Sequence, residues 1–556
     1  MRYLVLLLLA TTASVAQPLS KTQQLASLCK VWGFLKYYHP VVASGQQDWD
    51  HRLVELIPAV QQADNQQTLS AVYEDLLNQL GPVKPCRSCQ SEPEHTVLGR
   101  PGLDLSFLTD STLFTEPLRS RLTYLVTNRN QGYNYYVQQD KHIKNTSYEN
   151  EKAYADMAIP DRSHRLLALF RYWNIIHYFF PYKYAIDRTW ADVLTSMIPV
   201  FEQAETPETY QKAIYQLVAS IQDSHGFVTS TDKTRCLRCD LGTLWLPFEL
   251  KLFDSKAIIT RIYSDSLTGP LPVKVGSVIS QLDGQFIQSH IARLRPYISA
   301  SNRLDVLRDL AGLIGVGHDQ QARLTVVQNG HDTTVQVSRF PFRKLIPSVY
   351  KSVNAQYPVS QWLPDQVGYV NMGKLMSRQV DSVMKPLLRA RAIIFDLRNY
   401  PNGTFWLVGR YLQTKPAAFA RFSGSDLRFP GVFREVGSAK LPTFSRKLER
   451  YTGKVIVLVN EETQSQAEFT AMGFRTVPAA VLVGSPTAGA DGTISWVPLP
   501  GGYRTAFSGI GVYYPDGRET QRVGLIPDVL IRPSIEGLQV GRDEVLERAL
   551  VLTRGN

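Results

Sequence analysis

The N-terminal third of the chain carries apolar residues at the spacing of amphipathic helices, and it does so twice. Residues 28–40 match residues 169–181, and at the same offset Trp49 falls on Trp190. Each copy predicts two or three helices, with Trp and Tyr at helical spacing and Pro closing an element. Because there are only two copies, the pattern indicates a duplicated helical module and not a solenoid.

The next part of the chain changes to a strand-like pattern. It predicts three strands, one helix and a hairpin around the dipeptide Asn329-Gly330, at 246–252, 257–262, 275–282, 302–314 and 323–337. This order of elements and the run 274–284 resemble a PDZ domain, a class that binds extended peptides by adding a strand to a sheet edge. The alternative is a small barrel that only packs against its neighbours.

From about residue 345 short apolar strands alternate with helices. The strands are predicted at 368–372, 392–395, 454–459 and 480–483, and the helices at 377–389 and from Ser465 onward. This alternation predicts an open, largely parallel sheet covered by helices. The loops 396–404 and 460–465 follow strand ends, where such sheets place their working residues.

These patterns predict a multidomain α/β protein. Its parts are a signal peptide, a first helical module with its connection, a second helical module, a PDZ-like β-rich domain and a C-terminal α/β open-sheet core, at 1–16, 17–160, 161–242, 243–342 and 343–556. A length of 556 residues is too great for one core and agrees with several domains.

Composition is that of a globular protein, with 44% hydrophobic and 20% charged residues. The net charge of +11 comes from scattered basic residues, so no nucleic-acid partner is predicted.

The start of the chain has a short apolar run and a plausible cut after Ala16, which is typical of a secretory signal. No later stretch is long enough to span a membrane. We therefore expect a soluble periplasmic or secreted protein.

Four of the five cysteines form two C-x-x-C pairs, Cys86 with Cys89 and Cys236 with Cys239. Four thiolates could bind a structural zinc ion. Export favours disulfides instead, within or between the pairs. No His or acidic cluster lies near the pairs, so neither a catalytic metal nor a cofactor is predicted. Cys29 is left over and expected to be buried.

Two side chains are candidates for chemistry. Ser465 lies at a predicted strand-to-helix turn, where free backbone N–H groups could stabilise an oxyanion. An isolated serine there is otherwise an ordinary helix N-cap. His225 lies in a tight polar turn after a helix, in the second helical copy only. A lone histidine is more often structural, so its role depends on a serine that needs a base.

Four motifs follow one another in the C-terminal half of the chain, Asp396-Leu-Arg-Asn-x-Pro-x-Gly403, then 460–468, 483–487 and 524–529. Together they resemble the motifs of the S41 peptidases, the tail-specific, C-terminal-processing and tricorn-core proteases. The resemblance runs from about residue 165 to the C-terminus and implies a core of the ClpP/crotonase type. It makes Ser465 the nucleophile, with the backbone N–H groups of Gln466 and Gly403 as the oxyanion hole.

The same resemblance divides the family by its general base. One branch uses a lysine soon after the motif at 483–487, and residues 483–492 contain none. The tricorn-like branch uses a Ser-His pair before the PDZ-like domain, and Ser224-His225 matches it. In that branch a glutamate supports the histidine through the serine. The matching position holds Gln521, and Glu519 is the nearby carboxylate, so the orienting residue is left open between them.

The resemblance therefore implies an exported serine endopeptidase that acts on unstructured or C-terminal polypeptide segments through an acyl-enzyme. Two other functions stay open, a non-catalytic peptide-binding relative of the same fold and an esterase. The sequence does not indicate an oligomeric state.

Overall fold

A computed structural model describes most of the chain, namely residues 18–89, 103–253, 255–263, 269–328, 331–355, 357–412, 415–441 and 449–554. The predicted signal peptide and the turn at Asn329-Gly330 lie outside these residues. The described residues form two compact units. The first contains residues 18–89 and 104–134, and the second contains residue 103 and the described residues from Tyr135 onward. The first unit thus ends ahead of the predicted boundary at residue 160.

The first unit is helical. Its helices are α1 (Lys21–Tyr38), α2 (Pro40–Ala43), α3 (Trp49–Gln62), α4 (Gln66–Leu80) and α5 (Glu116–Thr127), with a short 3-10 turn at Ser106–Thr109. Helix α1 is buried on most of its surface and packs against α2 and α3. Two buried tryptophans lock α1 to α3, since Trp32 Nε1 donates to the Trp49 carbonyl at 2.8 Å and Trp49 Nε1 donates to the Trp32 carbonyl at 3.0 Å.

The second unit begins with a small hairpin and another helical group. Its elements are β1 (Gln138–Gln139), β2 (Thr146–Ser147), α6 (Arg162–Phe179), α7 (Trp190–Glu202), α8 (Pro207–Ala219), β3 (Val228–Ser230) and α9 (Leu237–Leu241). Here too a reciprocal pair of tryptophans joins two helices. Trp173 Nε1 donates to the Trp190 carbonyl at 2.7 Å and Trp190 Nε1 to the Trp173 carbonyl at 2.9 Å.

A six-stranded antiparallel sheet with helices follows. It contains β5 (Phe248–Phe253), β6 (Lys256–Ile262), β7 (Val278–Leu282), β8 (Gln285–Phe286), β9 (Gln321–Gln328) and β10 (His331–Ser338), with α10 (Ile287–Leu294) and α11 (Arg303–Ile314). The order is β10-β9-β7-β6-β5, and β8 pairs with β7. Strand β5 is therefore an edge strand, and α11 packs beside it. The small pair β4 (Leu244–Trp245) and β11 (Phe340–Pro341) and the helix α12 (Phe342–Ala355) frame this part.

The C-terminal core is built on a second six-stranded sheet, in the order β12-β13-β14-β17-β18-β22. The strands are β12 (Ser360–Leu363), β13 (Val367–Asn371), β14 (Ala392–Asp396), β17 (Lys454–Val459), β18 (Val481–Gly484) and β22 (Val529–Leu530). Only the edge strand β12 is antiparallel to its neighbour. The fold is thus a multidomain α/β protein with helices and several sheets, as predicted.

The apolar strands of this sheet are buried on both faces. Ile393 and Phe395 of β14 belong to one hydrophobic core, and Ala392 and Ile394 belong to the core on the opposite face. Successive side chains of a strand point to opposite faces, so a strand covered on both sides needs a continuous apolar run. The covering helices are α13 (Val380–Leu387), α14 (Phe405–Gly409), α15 (Gln466–Arg475) and α17 (Glu544–Arg554), and the short helix α16 (Ile535–Gln539) precedes α17.

Two three-stranded sheets complete the core. One is β16-β15-β21, from β15 (Ala417–Ser425), β16 (Phe433–Leu441) and β21 (Gly511–Tyr513); the other is β19-β20-β3, from β19 (Ile494–Leu499) and β20 (Tyr503–Ser508). The pairing of β3 with β20 joins the helical part to the core. Because β3 begins three residues after His225, this pairing also brings His225 to the core.

Each C-x-x-C pair is closed as a disulfide, Cys86 to Cys89 and Cys236 to Cys239. Cys29 is buried. Among the helices of the described residues, none combines the length and apolar character that crossing a bilayer requires.

Candidate active site

Ser465 lies in a sharp turn between β17 and α15. Its φ of 57° and ψ of −120° are unfavourable for a residue with a side chain. Two hydrogen bonds from its backbone N–H hold this conformation, one to the Ala490 carbonyl at 3.0 Å and one to the Glu468 carboxylate at 3.1 Å. The turn therefore presents the Ser465 side chain at the carboxyl end of a central strand and at the N-terminus of a helix.

The Glu468 carboxylate also shapes the loop that faces Ser465. It is fully buried and accepts hydrogen bonds from Gly489 N at 2.8 Å, from Ala490 N at 3.0 Å and from the Thr487 hydroxyl. Burial raises the pKa of Glu468, and these donors oppose the rise. The carboxylate thus ties the loop after β18 to the turn at Ser465.

His225 is 5% exposed and reaches the core through Ser508, the last residue of β20. Its Nδ1 lies 2.9 Å from the Ser508 hydroxyl oxygen, and that hydroxyl donates to Asp223 Oδ1 at 3.0 Å. Since the only hydroxyl proton of Ser508 goes to Asp223, the Ser508 oxygen accepts at Nδ1. The proton of a neutral His225 therefore lies on Nδ1, and Nε2 carries a free lone pair.

Asp223 is fully buried, and its carboxylate accepts four hydrogen bonds from the described residues. Besides the Ser508 hydroxyl, the donors are Ser508 N at 2.6 Å, His225 N at 3.1 Å and Gln521 Nε2 at 3.1 Å. Burial lowers the pKa of His225, and the charge of Asp223 acts in the opposite direction.

Ser224 and Glu519, which were also proposed to orient His225, are hydrogen-bonded to other partners. The Ser224 hydroxyl accepts from Ser301 N at 2.9 Å and bonds the Asp305 carboxylate. Glu519 accepts from the Tyr184 hydroxyl at 2.6 Å. Neither Ser224 nor Glu519 is hydrogen-bonded to the His225 ring in the described part of the chain. Gln521 is linked to the ring through Asp223 and then Ser508.

The loop at Gly403 lies against the side chain of Gln466, the other residue proposed as an oxyanion donor. Gly403 has a φ of 67°, and a Cβ built on it would be 3.6 Å from the side-chain Nε2 of Gln466. Within the described residues, the backbone N–H groups of Gly403 and Gln466 make no hydrogen bond. Asn402 fixes the loop by donating to the Gly373 carbonyl at 2.7 Å. Asp396, at the start of this loop, holds Arg398 through two side-chain hydrogen bonds at 3.0 and 2.7 Å.

A cavity of about 820 Å³ brings these groups together. Its lining includes Ser465, Gln466 and His225, and the rest of the lining is largely apolar. No hydrogen bond joins the Ser465 hydroxyl to the His225 ring among the residues described, an arrangement that is common in catalytic pairs without substrate.

Sequence reasoning missed Asp223 and Ser508. Asp223 is two residues from His225, and an acidic residue in the same tight turn was the available signal. Ser508 had no local signal, since it lies 283 positions from His225 in the chain.

Comparison with known proteins agrees with this geometry. Residues 366–531 match the sequence profile of peptidase family S41. No curated protein matches the chain. Among solved structures, mature CPAF complexed with lactacystin is similar with a TM-score of 0.57 and 14% identity, over 70% of this chain and 98% of that chain. Mature CPAF in another crystal structure gives a TM-score of 0.54 and 14% identity, over 71% and 99% of the two chains.

At this identity the similarity to CPAF concerns the fold alone. The family match covers the part of the chain that contains the turn at Ser465 and the loop at Gly403. Residues 366–531 form a serine-type peptidase domain of family S41. The family membership inferred from the motifs is thereby confirmed.

Proposed function

We propose that the protein is an exported serine endopeptidase that cleaves unstructured or C-terminal polypeptide segments, with Ser465 as nucleophile and His225 as general base. The observation that carries this proposal is the hydrogen-bond chain from Asp223 through Ser508 to His225 Nδ1, beside the cavity that Ser465 lines. This chain leaves Nε2 of His225 as the ring nitrogen able to accept a proton.

The reaction follows the usual logic of acyl transfer. His225 Nε2 takes the proton of the Ser465 hydroxyl as Oγ bonds to the carbonyl carbon of the scissile peptide. The backbone N–H groups of Gly403 and Gln466 donate to the resulting oxyanion. When the C–N bond breaks, His225 gives its proton to the leaving amine. A water molecule then attacks the acyl-enzyme by the same steps, and the carboxylic acid and free Ser465 are released.

Asp223 and Ser508 are positioning residues in this scheme. During the reaction the His225 ring becomes positively charged, and the Asp223 carboxylate stabilises that charge through Ser508. The sequence suggested Glu519 or Gln521 for this task. Asp223 supplies the charge that Gln521 lacks, and Gln521 in turn holds Asp223. A glutamine at position 521 is therefore compatible with a catalytic enzyme.

The six-stranded sheet in residues 243–342 supports the proposal that the substrate is a polypeptide. We infer that residues 243–342 form a PDZ-like domain, because an edge strand, β5, lies beside α11 and could pair with an extended peptide. The same helix reaches the candidate site, since Asn302 at its N-terminus donates to the carbonyls of Thr487 and Ala488 at 2.8 and 2.9 Å.

Two further features are inferred for the N-terminal part. The reciprocal tryptophan pairs, Trp32 with Trp49 and Trp173 with Trp190, support a duplicated helical module. Export is supported by the predicted signal peptide and by the two disulfides, since disulfides persist in oxidising compartments.

Hydrolysis of a disordered protein tests the proposal. We expect the purified enzyme to degrade casein while leaving a stably folded protein of similar size intact. Ser465→Ala and His225→Ala should each lower the rate by several orders of magnitude, about 10⁴-fold or more, because the two residues act as one unit. Cleavage that persists in Ser465→Ala would reject the nucleophile, and the absence of cleavage by the wild type would reject the substrate class.

A further inference from the structure

One wall of the cavity beside Ser465 comes from a segment that lies far from the peptidase motifs in the chain. The loop 140–145, which joins β1 to β2, contributes three side chains to the cavity lining, namely His142, Ile143 and Asn145. The match to family S41 covers residues 366–531, so this loop lies outside the matched domain. A polypeptide whose carbonyl group reaches Ser465 enters this cavity, where the loop is one of the surfaces that its side chains can touch.

The loop is anchored on two strands that border the cavity. Gln139 Nε2 donates to the Ser425 carbonyl at the end of β15, at 2.8 Å. Asn145 Nδ2 donates to the Ile494 carbonyl at the start of β19, at 3.0 Å. Both strands contribute to the lining, β15 through Phe422 and β19 through Ile494. The loop therefore bridges two sides of the cavity.

The anchor on β19 lies close to the nucleophile. The Ala490 carbonyl accepts from Ser465 N at 3.0 Å, and residues 491–494 line the cavity between Ala490 and the anchor of the loop. Ile494 is four positions after Ala490. Four positions of extended chain span at most about 14 Å, which is also the length of about four residues of an extended substrate. Substrate side chains this near the cleaved bond are within reach of the loop.

Asp140 fixes the conformation of the loop. Its Oδ1 accepts from His142 N at 2.8 Å and from Ile143 N at 2.6 Å. Its backbone N–H donates to the Asn145 carbonyl at 3.0 Å, and its carbonyl accepts from Lys144 N at 3.2 Å. The two residues whose N–H groups Asp140 Oδ1 binds are themselves part of the cavity lining. Asp140 therefore sets the position of Ile143 through the backbone.

Three large apolar side chains of the cavity lining are exposed to solvent. Ile143 is 48% exposed, Phe227 40% and Tyr400 58%, and they come from three separate segments of the chain. Apolar side chains that gather in one exposed place mark a surface that a ligand covers. The lining formed by the described residues contains no Lys, Arg or Glu, and its aspartate, Asp491, is buried. The cavity thus favours an apolar group over a charged one.

We propose that the loop 140–145 is a specificity wall of the substrate cavity, in which Ile143 contacts a large apolar side chain of the polypeptide within about four residues of the cleaved bond. Asp140 is a positioning residue, since it acts through the backbone of Ile143. The inference rests on the proposed function and names the kind of side chain that this site selects. A charged substrate side chain would lose hydration against Ile143 and find no opposite charge.

Cleavage of a random peptide library, with the cut sites mapped by mass spectrometry, tests the wall. We expect the wild type to enrich large apolar residues at one position near the cut. Ile143→Asp should lower the preference for large apolar residues over lysine at that position by about tenfold or more, because a carboxylate repels an apolar group and pairs with an ammonium. Ile159→Asp is the matched control, since Ile159 is 45% exposed and does not line the cavity.

A pair of variants at Asp140 tests the positioning role. Asp140→Ala removes the acceptor of two backbone N–H groups, so the loop loosens and the same preference should fall by about threefold or more. Asp140→Asn should restore the wild-type preference, because a carboxamide oxygen can accept both hydrogen bonds. Asp140→Asn with the selectivity of Asp140→Ala would overturn the positioning role.

Labelling of Ser465 by a small fluorophosphonate separates failure of the wall from failure of the function, and all rates are expressed per labelled enzyme. Full labelling with an unchanged cut-site profile in Ile143→Asp overturns the wall and leaves the function standing. An equal shift of the profile in Ile159→Asp overturns the wall too. Absence of both labelling and cleavage in the wild type overturns the proposed function, and the wall with it.

Discussion

The single hydroxyl proton of Ser508 sets the direction of the hydrogen bonds that hold the His225 ring. Ser508 donates to Asp223 and accepts from Nδ1, so the ring is held in one tautomer with Nε2 toward the cavity. The residue that fixes this direction is Asp223, because a carboxylate can only accept. An asparagine at that position could instead donate to Ser508 and reverse the chain.

Asp223→Asn should therefore lower kcat by about 10²- to 10⁴-fold, since the charge that stabilises the imidazolium is lost and the tautomer is no longer fixed. The pH profile should also move. The base form of His225 is the active one, and its pKa lies below the ordinary 6.5 because of burial. The charge of Asp223 raises this pKa, so its removal lowers it, and the acid limb of kcat/KM should shift to lower pH.

Rates across pH 4 to 8 for the wild type, Asp223→Asn and Ser508→Ala check this expectation. Ser508→Ala retains the charge and removes the bridge, so it should lose rate with a smaller shift of the acid limb. An Asp223→Asn enzyme with the wild-type rate and the wild-type acid limb would show that Asp223 has no part in positioning His225.

At the scale of residues, the sequence predicted the groups that belong to one local motif. Ser465, Gln466 and Gly403 are marked by their own turns and by the family motifs. The hydrogen-bond chain to His225 could not be predicted, because Asp223 and Ser508 are 285 positions apart and meet only through the pairing of β3 with β20. Glu519 was a candidate because of its charge, and in the structure its carboxylate accepts a hydrogen bond from the Tyr184 hydroxyl.

The turn between β17 and α15 is the element on which the site depends. Its positive φ at Ser465 is held by backbone contacts that converge on the buried Glu468 carboxylate. Without Glu468, the N–H groups of Ser465, Gly489 and Ala490 would lose an acceptor that no water can replace in a closed core. The turn would then relax toward an ordinary helix start.

Glu468→Ala should destabilise the protein by about 3 kcal/mol or more, from several buried donors left unpaired at about 1–3 kcal/mol each. It should also lower kcat, because the Ser465 hydroxyl and the oxyanion donor at Gln466 share this turn. Urea unfolding and peptide hydrolysis measure the two effects. The exposed Glu149→Ala is the matched control. Wild-type stability in Glu468→Ala would contradict the bracing role of the carboxylate.

At the scale of elements, sequence reasoning succeeded for the buried strands and failed for the hairpin of β15 and β16. Strands β14 and β17 are continuous apolar runs because both of their faces are covered. Strand β15 contains Ala, Gly and Ser and has only a weak strand preference. It is formed by its pairing with β16 and β21, and it provides part of the cavity wall.

At the scale of the whole molecule, the candidate site lies within the second compact unit. Ser465 follows a strand of the parallel sheet, and His225 follows the end of a helical segment. Asn302, which precedes α11, holds the loop after β18 by donating to the carbonyls of Thr487 and Ala488. The order of these parts could be predicted from motif order. Their mutual contacts could not, because each is made between segments far apart in the chain.

The central claim is that His225, held by Asp223 and Ser508, activates Ser465. Reaction of the purified enzyme with a fluorophosphonate, followed by peptide mapping and rate measurement across pH, tests it most directly. We expect a single adduct at Ser465, formed with a rate that falls on the acid side with the pKa of His225 and is at least about 10²-fold slower in His225→Ala. An adduct at another residue, or a labelling rate that His225→Ala leaves unchanged, would contradict it.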